Sequence, residues 1–229
     1  MDLVTEQKLE RREKILEAAR NLIAERGYDG ITMRELAAHC RVSVPTLYNQ
    51  FESKDGLLAT AVESHLVDLL KLGEPDAGWQ GHQRMIGMVE RCSAEMARLS
   101  GYHRALLTTF MTRPDTARLQ WRLTGDLARE MRGALEQMSE DGTLAEWVEP
   151  AILARRITAA IAGASLAWSL GELDDVLLAA AMLHAAASMT LGAASGVARD
   201  DLEADLRRAQ QVFKDASARR SPKSPAVGR

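Results

Sequence analysis

The sequence predicts an all-α fold in two parts: a three-helix head at the N-terminus and a larger helical body behind it. Three observations carry this. Aromatic residues are only 4% of the 229 positions, while Ala and Leu abound. Apolar residues recur at i, i+3, i+4 and i+7 in one segment after another, the period of a helix with one buried stripe. The segments are also punctuated by residues that begin and end helices: Thr32, Ser43 and Ser53 as caps, Gly27 as a stop, and Pro45, Pro114 and Pro150 at starts.

In chain order, residues 6–26 form the first helix, with Ile15, Ala18, Ala19, Leu22 and Ile23 on one stripe. Gly27 ends it and Tyr28-Asp29-Gly30 turns the chain. Thr32 can accept from the backbone N–H of Glu35 and Glu35 can reach back, which is a capping box. Met33, Leu36, Ala37 and Cys40 follow at helical spacing. A short helix comes next, about Val44 to Gln50, with Leu47 and Phe51 on its apolar edge. Pro45 is tolerated only in its first turn, where the missing N–H has no intrahelical partner. Whether Ser43 or Val44 caps this helix is open, because Pro45 restricts Val44. Ser53 caps a longer helix over 54–72. Two short helices, the second with a polar outward face, make a helix-turn-helix plan.

The stretch TMRELAAHCRVSVPTLYNQFESKDGLL resembles the DNA-binding motif of the tetracycline-repressor (TetR) family. The matching residues are Thr32, Leu36, Ala37, Val42, Ser43, Thr46, Leu47, Tyr48, Phe51, Lys54 and Leu58. The resemblance covers roughly residues 10–60 and says little about residues 75–229. It implies an N-terminal DNA-binding domain over 1–56, linked onward by helix 54–72. Behind it would lie a helical effector-binding and dimerisation domain over 57–216. One departure is Arg41, which stands where the family usually has a small residue. A positive φ there costs an ordinary residue about 1–2 kcal/mol.

Val44, Pro45, Thr46 and Asn49 are the candidates to face the major groove. Asn49 can pair with adenine, and Thr46 and Pro45 can touch a thymine methyl. Thr32, Ser43, Tyr48, Lys54 and Arg41 are the candidate phosphate contacts, which fix register without reading sequence. Tyr48 and Lys54 resemble the family's phosphate-contacting pair. Lys8, Arg11 and Arg12 form either a solvated charged face or an arm near DNA. Bulk charge does not help: the chain carries a net −3, and residues 1–56 hold nine basic against ten acidic side chains. The DNA argument therefore rests on where the basic groups point.

Behind the head, Gly73 to Gly81 reads as a loop, and helices follow at about 80–99, 102–112, 115–140, 149–171, 174–196 and 199–216. Residues 151–198 hold 16 Ala and 4 Gly in 48 positions. Small side chains let backbones approach closely, and the family pairs its last two large helices into a four-helix dimer interface. Helices 149–171 and 174–196 are the expected homodimer surface. Val176 to Ala198 is long enough to span a bilayer, but its Ser, Thr, Gly and His content and its acidic flanks argue for a buried bundle helix instead.

The body is rich in Met and Trp, which suits an adaptable apolar pocket or simply fills a core. Met88, His103, Phe110, Trp121 and Trp168 are the candidate effector-pocket residues. His103, Arg104, Arg122 and His184 are the polar groups that could orient a ligand, and His65 reads as a core histidine. Residues 217–229 read as a disordered basic tail.

No catalytic motif, cofactor signature or metal-ligand spacing appears. The polar N-terminus shows no signal peptide, so a cytoplasmic location is expected. Cys40 and Cys92 read as reduced thiols. The resulting expectation is a homodimeric regulator, most simply a repressor, that binds palindromic double-stranded DNA and responds to a small, largely apolar effector. The alternative is a helical interaction protein that kept the head but lost specific DNA readout.

Overall fold

The computed structural model describes residues 3–71, 78–113 and 116–220, with side chains described for 5–64, 78–113, 116 and 123–219. The fold is all-α. The helices are α1 (Leu3–Arg26), α2 (Met33–Cys40), α3 (Val44–Phe51), α4 (Lys54–Lys71), α5 (Gly81–Arg98), α6 (Ser100–Thr112), α7 (Ala117–Glu140), α8 (Pro150–Ser169), α9 (Asp175–Leu191) and α10 (Gly196–Arg220). They fall into two compact units: Met1–Glu74 with Ala94–Asp126, and Pro75–Ser93 with Leu127–Arg229.

The first unit is built on α1. Ile15, Leu16, Ala19, Leu22 and Ile23 are buried against Leu36 and Ala37 of α2, Leu47 and Phe51 of α3, and Leu57, Leu58, Ala61 and Val62 of α4. Tyr102, Leu106 and Phe110 of α6 complete the same core. Gly101 makes that packing possible, since a Cβ there would lie 3.2 Å from the Cβ of Ala24 on α1. The sequence pattern assigned helix 102–112 to the body and drew the head at residue 56; α6 instead shares the head's core, because its apolar face meets the stripe of α1. Tyr28 lies in the expected turn after α1, and its ring, at 3% exposure, belongs to that core as well.

In the second unit, Met85, Met88, Val89, Met131, Leu135, Met138, Ile157, Trp168, Leu178 and Leu183 are buried. Gly81 allows close packing, since a Cβ there would meet the Ala134 carbonyl at 2.4 Å. Asp174 caps α9 by accepting from the Leu177 N–H at 2.8 Å, and the Trp168 indole donates to Asp175 at 2.8 Å. The expected helix 174–196 is shorter. It ends at Leu191, and the chain turns through Gly192–Ser195 before α10 starts at Gly196, whose φ is +56°. The turn is pinned across the unit: Ala145 N–H donates to Ala193 O, and Ser195 N–H to Thr143 O.

Helix α10 continues to Arg220, so residues 217–220 are helical rather than tail. Residues 221–229, and the expectations for His65, Pro114, Trp121 and Arg122, lie outside the residues or side chains described. Among the described residues, α8 is long and apolar enough by length and composition to cross a membrane; it carries exposed Arg155 and Arg156.

Candidate nucleic-acid interface

The helix-turn-helix is held by local hydrogen bonds that the sequence specifies. The Thr32 hydroxyl accepts from the Glu35 N–H at 3.2 Å, and the Glu35 carboxylate accepts from the Thr32 N–H at 2.9 Å and its hydroxyl at 2.8 Å. These bonds from Thr32 hold the Glu35 carboxyl below its ordinary range. Helix α2 ends in a Schellman-type turn, with the Val42 N–H bonded to Ala37 O at 3.0 Å and the Arg41 N–H to Ala38 O at 3.2 Å. Arg41 sits in the left-handed region at φ 54°, ψ 41°. The left-handed turn geometry is thus kept despite the arginine, at the cost of a positive φ for a residue with a Cβ.

Ser43, not Val44, caps α3: its hydroxyl accepts from the Thr46 N–H at 3.2 Å and lies 2.7 Å from the Thr46 hydroxyl. Leu47 and Phe51 anchor the helix in the core. The opposite side faces out: Ser43, Pro45 and Asn49 are exposed, Val44 and Thr46 are half-buried, and Tyr48 is 47% exposed. At its C-terminal end, the Arg12 guanidinium donates to the Gln50 carbonyl at 3.3 Å and lies 4.8 Å from the centre of the Phe51 ring. One member of the basic cluster on α1 is therefore spent on holding α3, where a cation suits the helix C-terminus.

The turn into α4 needs a second positive φ, at Glu52 (φ 62°). Gly56 is required there, because a Cβ would lie 2.1 Å from the Phe51 carbonyl. The Ser53 hydroxyl caps α4 by accepting from the Gly56 N–H at 2.9 Å. Lys54 opens the helix, its ammonium 4.2 Å from the centre of the Tyr28 ring. Partial burial lowers its pKa, an effect that Asp29, Asp55 and Glu35 oppose. Beside α3 runs a cleft of about 770 Å³ lined by Arg11, Lys14, His39, Cys40, Arg41 and Thr46, among others. It brings the exposed basic groups of α1 next to the turn residue Arg41.

This head has known counterparts. Residues 15–61 match the family model described as bacterial regulatory proteins, tetR family. The head thus matches the DNA-binding domain of the TetR family over residues 15–61. The chain is 35% identical over 114 residues to the HTH-type transcriptional repressor KstR of Mycolicibacterium smegmatis, covering 49% of this chain and 53% of that protein. KstR of Mycobacterium tuberculosis matches equally, at 35% over 114 residues, with 49% and 50% covered. The chain thus spans about half the length of the curated relatives it matches. Solved structures share the fold more widely. A TetR regulator from Haloarcula marismortui superposes with a TM-score of 0.71 at 16% identity, covering 81% of this chain and 99% of that one. FadR from Bacillus subtilis, solved with stearoyl-CoA, gives 0.66 at 15% identity, covering 78% and 97%.

The residues expected to line an effector pocket do not gather in one unit of the molecule. His103 and Phe110 are buried in the first unit, His103 with its ring Nδ1 3.1 Å from the Leu99 carbonyl. Met88 and Trp168 are buried in the second. Met111 and Trp147 are exposed, Trp147 at 79%. His184 stacks edge-on against Phe213 beside a groove of about 490 Å³ between α9 and α10. Arg91 was not legible as a candidate. Its guanidinium lies 5.4 Å from the Trp79 ring centre, and its Nε and Nη2 are covered without a hydrogen-bond partner. Burial pushes the Cys92 thiol up to about 12, which leaves it an inert core group.

Proposed function

We propose that this protein is a homodimeric transcriptional repressor whose two α3 helices enter successive major-groove faces of a near-palindromic operator, and which is released by a small, largely apolar effector. The observation that carries the reading is the two-sidedness of α3. Leu47 and Phe51 fix it to the head, while Pro45, Tyr48 and Asn49 are exposed on the opposite side. Thr46, held to Ser43, offers its methyl beside them. In this reading Asn49, Thr46, Pro45 and Val44 read base edges, and Tyr48, Lys54, Arg41, Thr32 and Ser43 meet phosphates. The two half-sites would lie roughly 34–36 Å apart.

The dimer is assigned to α8 and α9. Ile152 on α8, Leu170 just after it, and Val176 and Met189 on α9 are large apolar side chains left exposed. On α8 the exposed Ala159 and Gly163 continue the stripe, and a Cβ on Gly163 would meet nothing within 4 Å. A second copy of the same face is the self-complementary partner that such a surface needs. The effector reading draws on the Met-rich interior of the second unit and on FadR having been solved with stearoyl-CoA, an apolar chain on a polar head. The Nε and Nη2 of Arg91, covered without a hydrogen-bond partner, are a fitting contact for an acceptor at the polar end. Effector and operator would be coupled by about 1–3 kcal/mol.

The near-balanced charge of residues 1–56 favours one rival, an interaction protein that has lost DNA readout. A gel shift against the DNA upstream of its own gene separates the two. A salt-sensitive complex supports the repressor, and no complex at any salt supports the rival.

A further inference from the structure

The edge of the first unit that carries Lys54 is richer in acid than a phosphate-binding surface should be. Asp29, Glu35 and Asp55 all act on the Lys54 ammonium. A flexible ammonium so placed has carboxylates to choose from before any phosphate arrives. One cation in the cluster comes from far along the chain. Arg113 closes α6, with Nη2 3.3 Å from Asp55 and Nη1 3.9 Å from Asp29. Its guanidinium also lies 4.9 Å from the centre of the Tyr28 ring, the same ring that Lys54 approaches. The Tyr28 hydroxyl donates to Asp55, and burial, then that bond, pushes its pKa upward, so it stays a donor.

We propose that Arg113 is a positioning residue for phosphate binding: by engaging Asp55 and Asp29 it leaves the Lys54 ammonium available to a DNA phosphate. Arginine's planar fork suits carboxylates better than a lysine ammonium does, so the acids are satisfied by Arg113 first. Without it, the two aspartates draw Lys54 inward and repel an approaching phosphate. A head whose own residues sum to −1 thereby borrows a positive charge from a helix outside its motif. This inference rests on the DNA-binding reading of the head.

The test uses the full-length protein and a fluorescein-labelled duplex of random sequence, because phosphate contacts are blind to sequence. Anisotropy titrations across a salt series compare wild type, Arg113→Ala, Arg113→Lys, and Arg113→Ala combined with Asp29→Asn and Asp55→Asn. Arg113→Ala should weaken binding about fivefold to tenfold at low salt and lower the salt slope by about one. Arg113→Lys should recover part of the loss, and removing the two acids should recover nearly all of it. A merely structural role would lower the melting temperature and would not be rescued by the asparagines. Wild-type binding with Arg113→Ala unchanged or tighter overturns this inference alone, as does a loss that the triple variant does not repair. A wild-type chain without salt-sensitive binding overturns the reading of the head, and this inference with it.

Discussion

The two units differ in how they commit their surface residues. In the first, the boundaries around α2 and α3 are closed by named side chains: Thr32 and Glu35 before α2, Ser43 before α3, Ser53 before α4, and Arg12 behind α3. What remains exposed on α3 is a short row of polar and apolar tips. In the second unit the reverse holds. Its exposed residues include Ile152, Leu170, Val176 and Met189, broad apolar groups that burial elsewhere would stabilise. On the proposed reading, the first surface meets a polar, grooved partner and the second a copy of itself.

That contrast can be broken most severely in the second unit. Gly163→Glu should leave the protomer folded, because the position is open and glycine is a poor helix residue. It would bury unpaired charges across a two-fold contact and weaken the dimer by about 3–5 kcal/mol. Sedimentation should then show a monomer at concentrations where wild type is a dimer. A variant that stays dimeric places the interface elsewhere.

Next in size is the first unit's outward row. Asn49→Ala should cost about 1–3 kcal/mol at particular base pairs and little elsewhere. Lys54→Ala should weaken all duplexes alike and reduce the salt slope by about one. Competition titrations with operator and random DNA distinguish the two patterns.

A smaller effect sharpens the contrast within a single residue. Arg41→Gly should raise stability by up to about 1 kcal/mol, since its φ of 54° suits glycine, while weakening DNA binding through a lost cation. Denaturant midpoints and anisotropy should therefore move in opposite senses. If both fall, the arginine is held by contacts that offset its strain.

The smallest effect is at the α2 capping box. The Glu35 carboxyl is held below its ordinary range by the Thr32 hydroxyl and N–H, so its contribution is present in full above about pH 4.5. It is lost as pH falls through the lower folded-state value. Glu35→Gln should remove that part of the acid dependence, which melting curves from neutral pH down to well below about pH 4 would register as a shallower decline at the acid end.

Legibility in the sequence followed the range of the interactions. The caps at Thr32, Ser43 and Ser53 and the stop at Gly27 act over three or four residues, and short spacing makes them readable. The split between α9 and α10 was hidden because Leu191–Ala198 is small and uncharged throughout, so composition alone cannot mark Gly192–Ser195 as a turn. Tyr28 does lie in the turn that the sequence marks, but its burial was not readable because its partners are distant in sequence: Asp55 is 27 positions on, and Arg113 is further still. The membership of α6 in the first core was missed for the same reason. Two helices with ordinary apolar stripes give no sign of which stripe the other meets. Arg91 could not be singled out because an orphaned donor is a property of surroundings, not of spacing.

The most direct test is selection of bound DNA from a random duplex pool, run in parallel with wild type and Asn49→Ala. The account predicts that wild type enriches an inverted repeat with half-site centres about one helical turn apart, and that Asn49→Ala loses its preference at the same position in each half. Enrichment of no sequence, or of the same sequence by both proteins, would contradict the claim that the outward face of α3 reads bases.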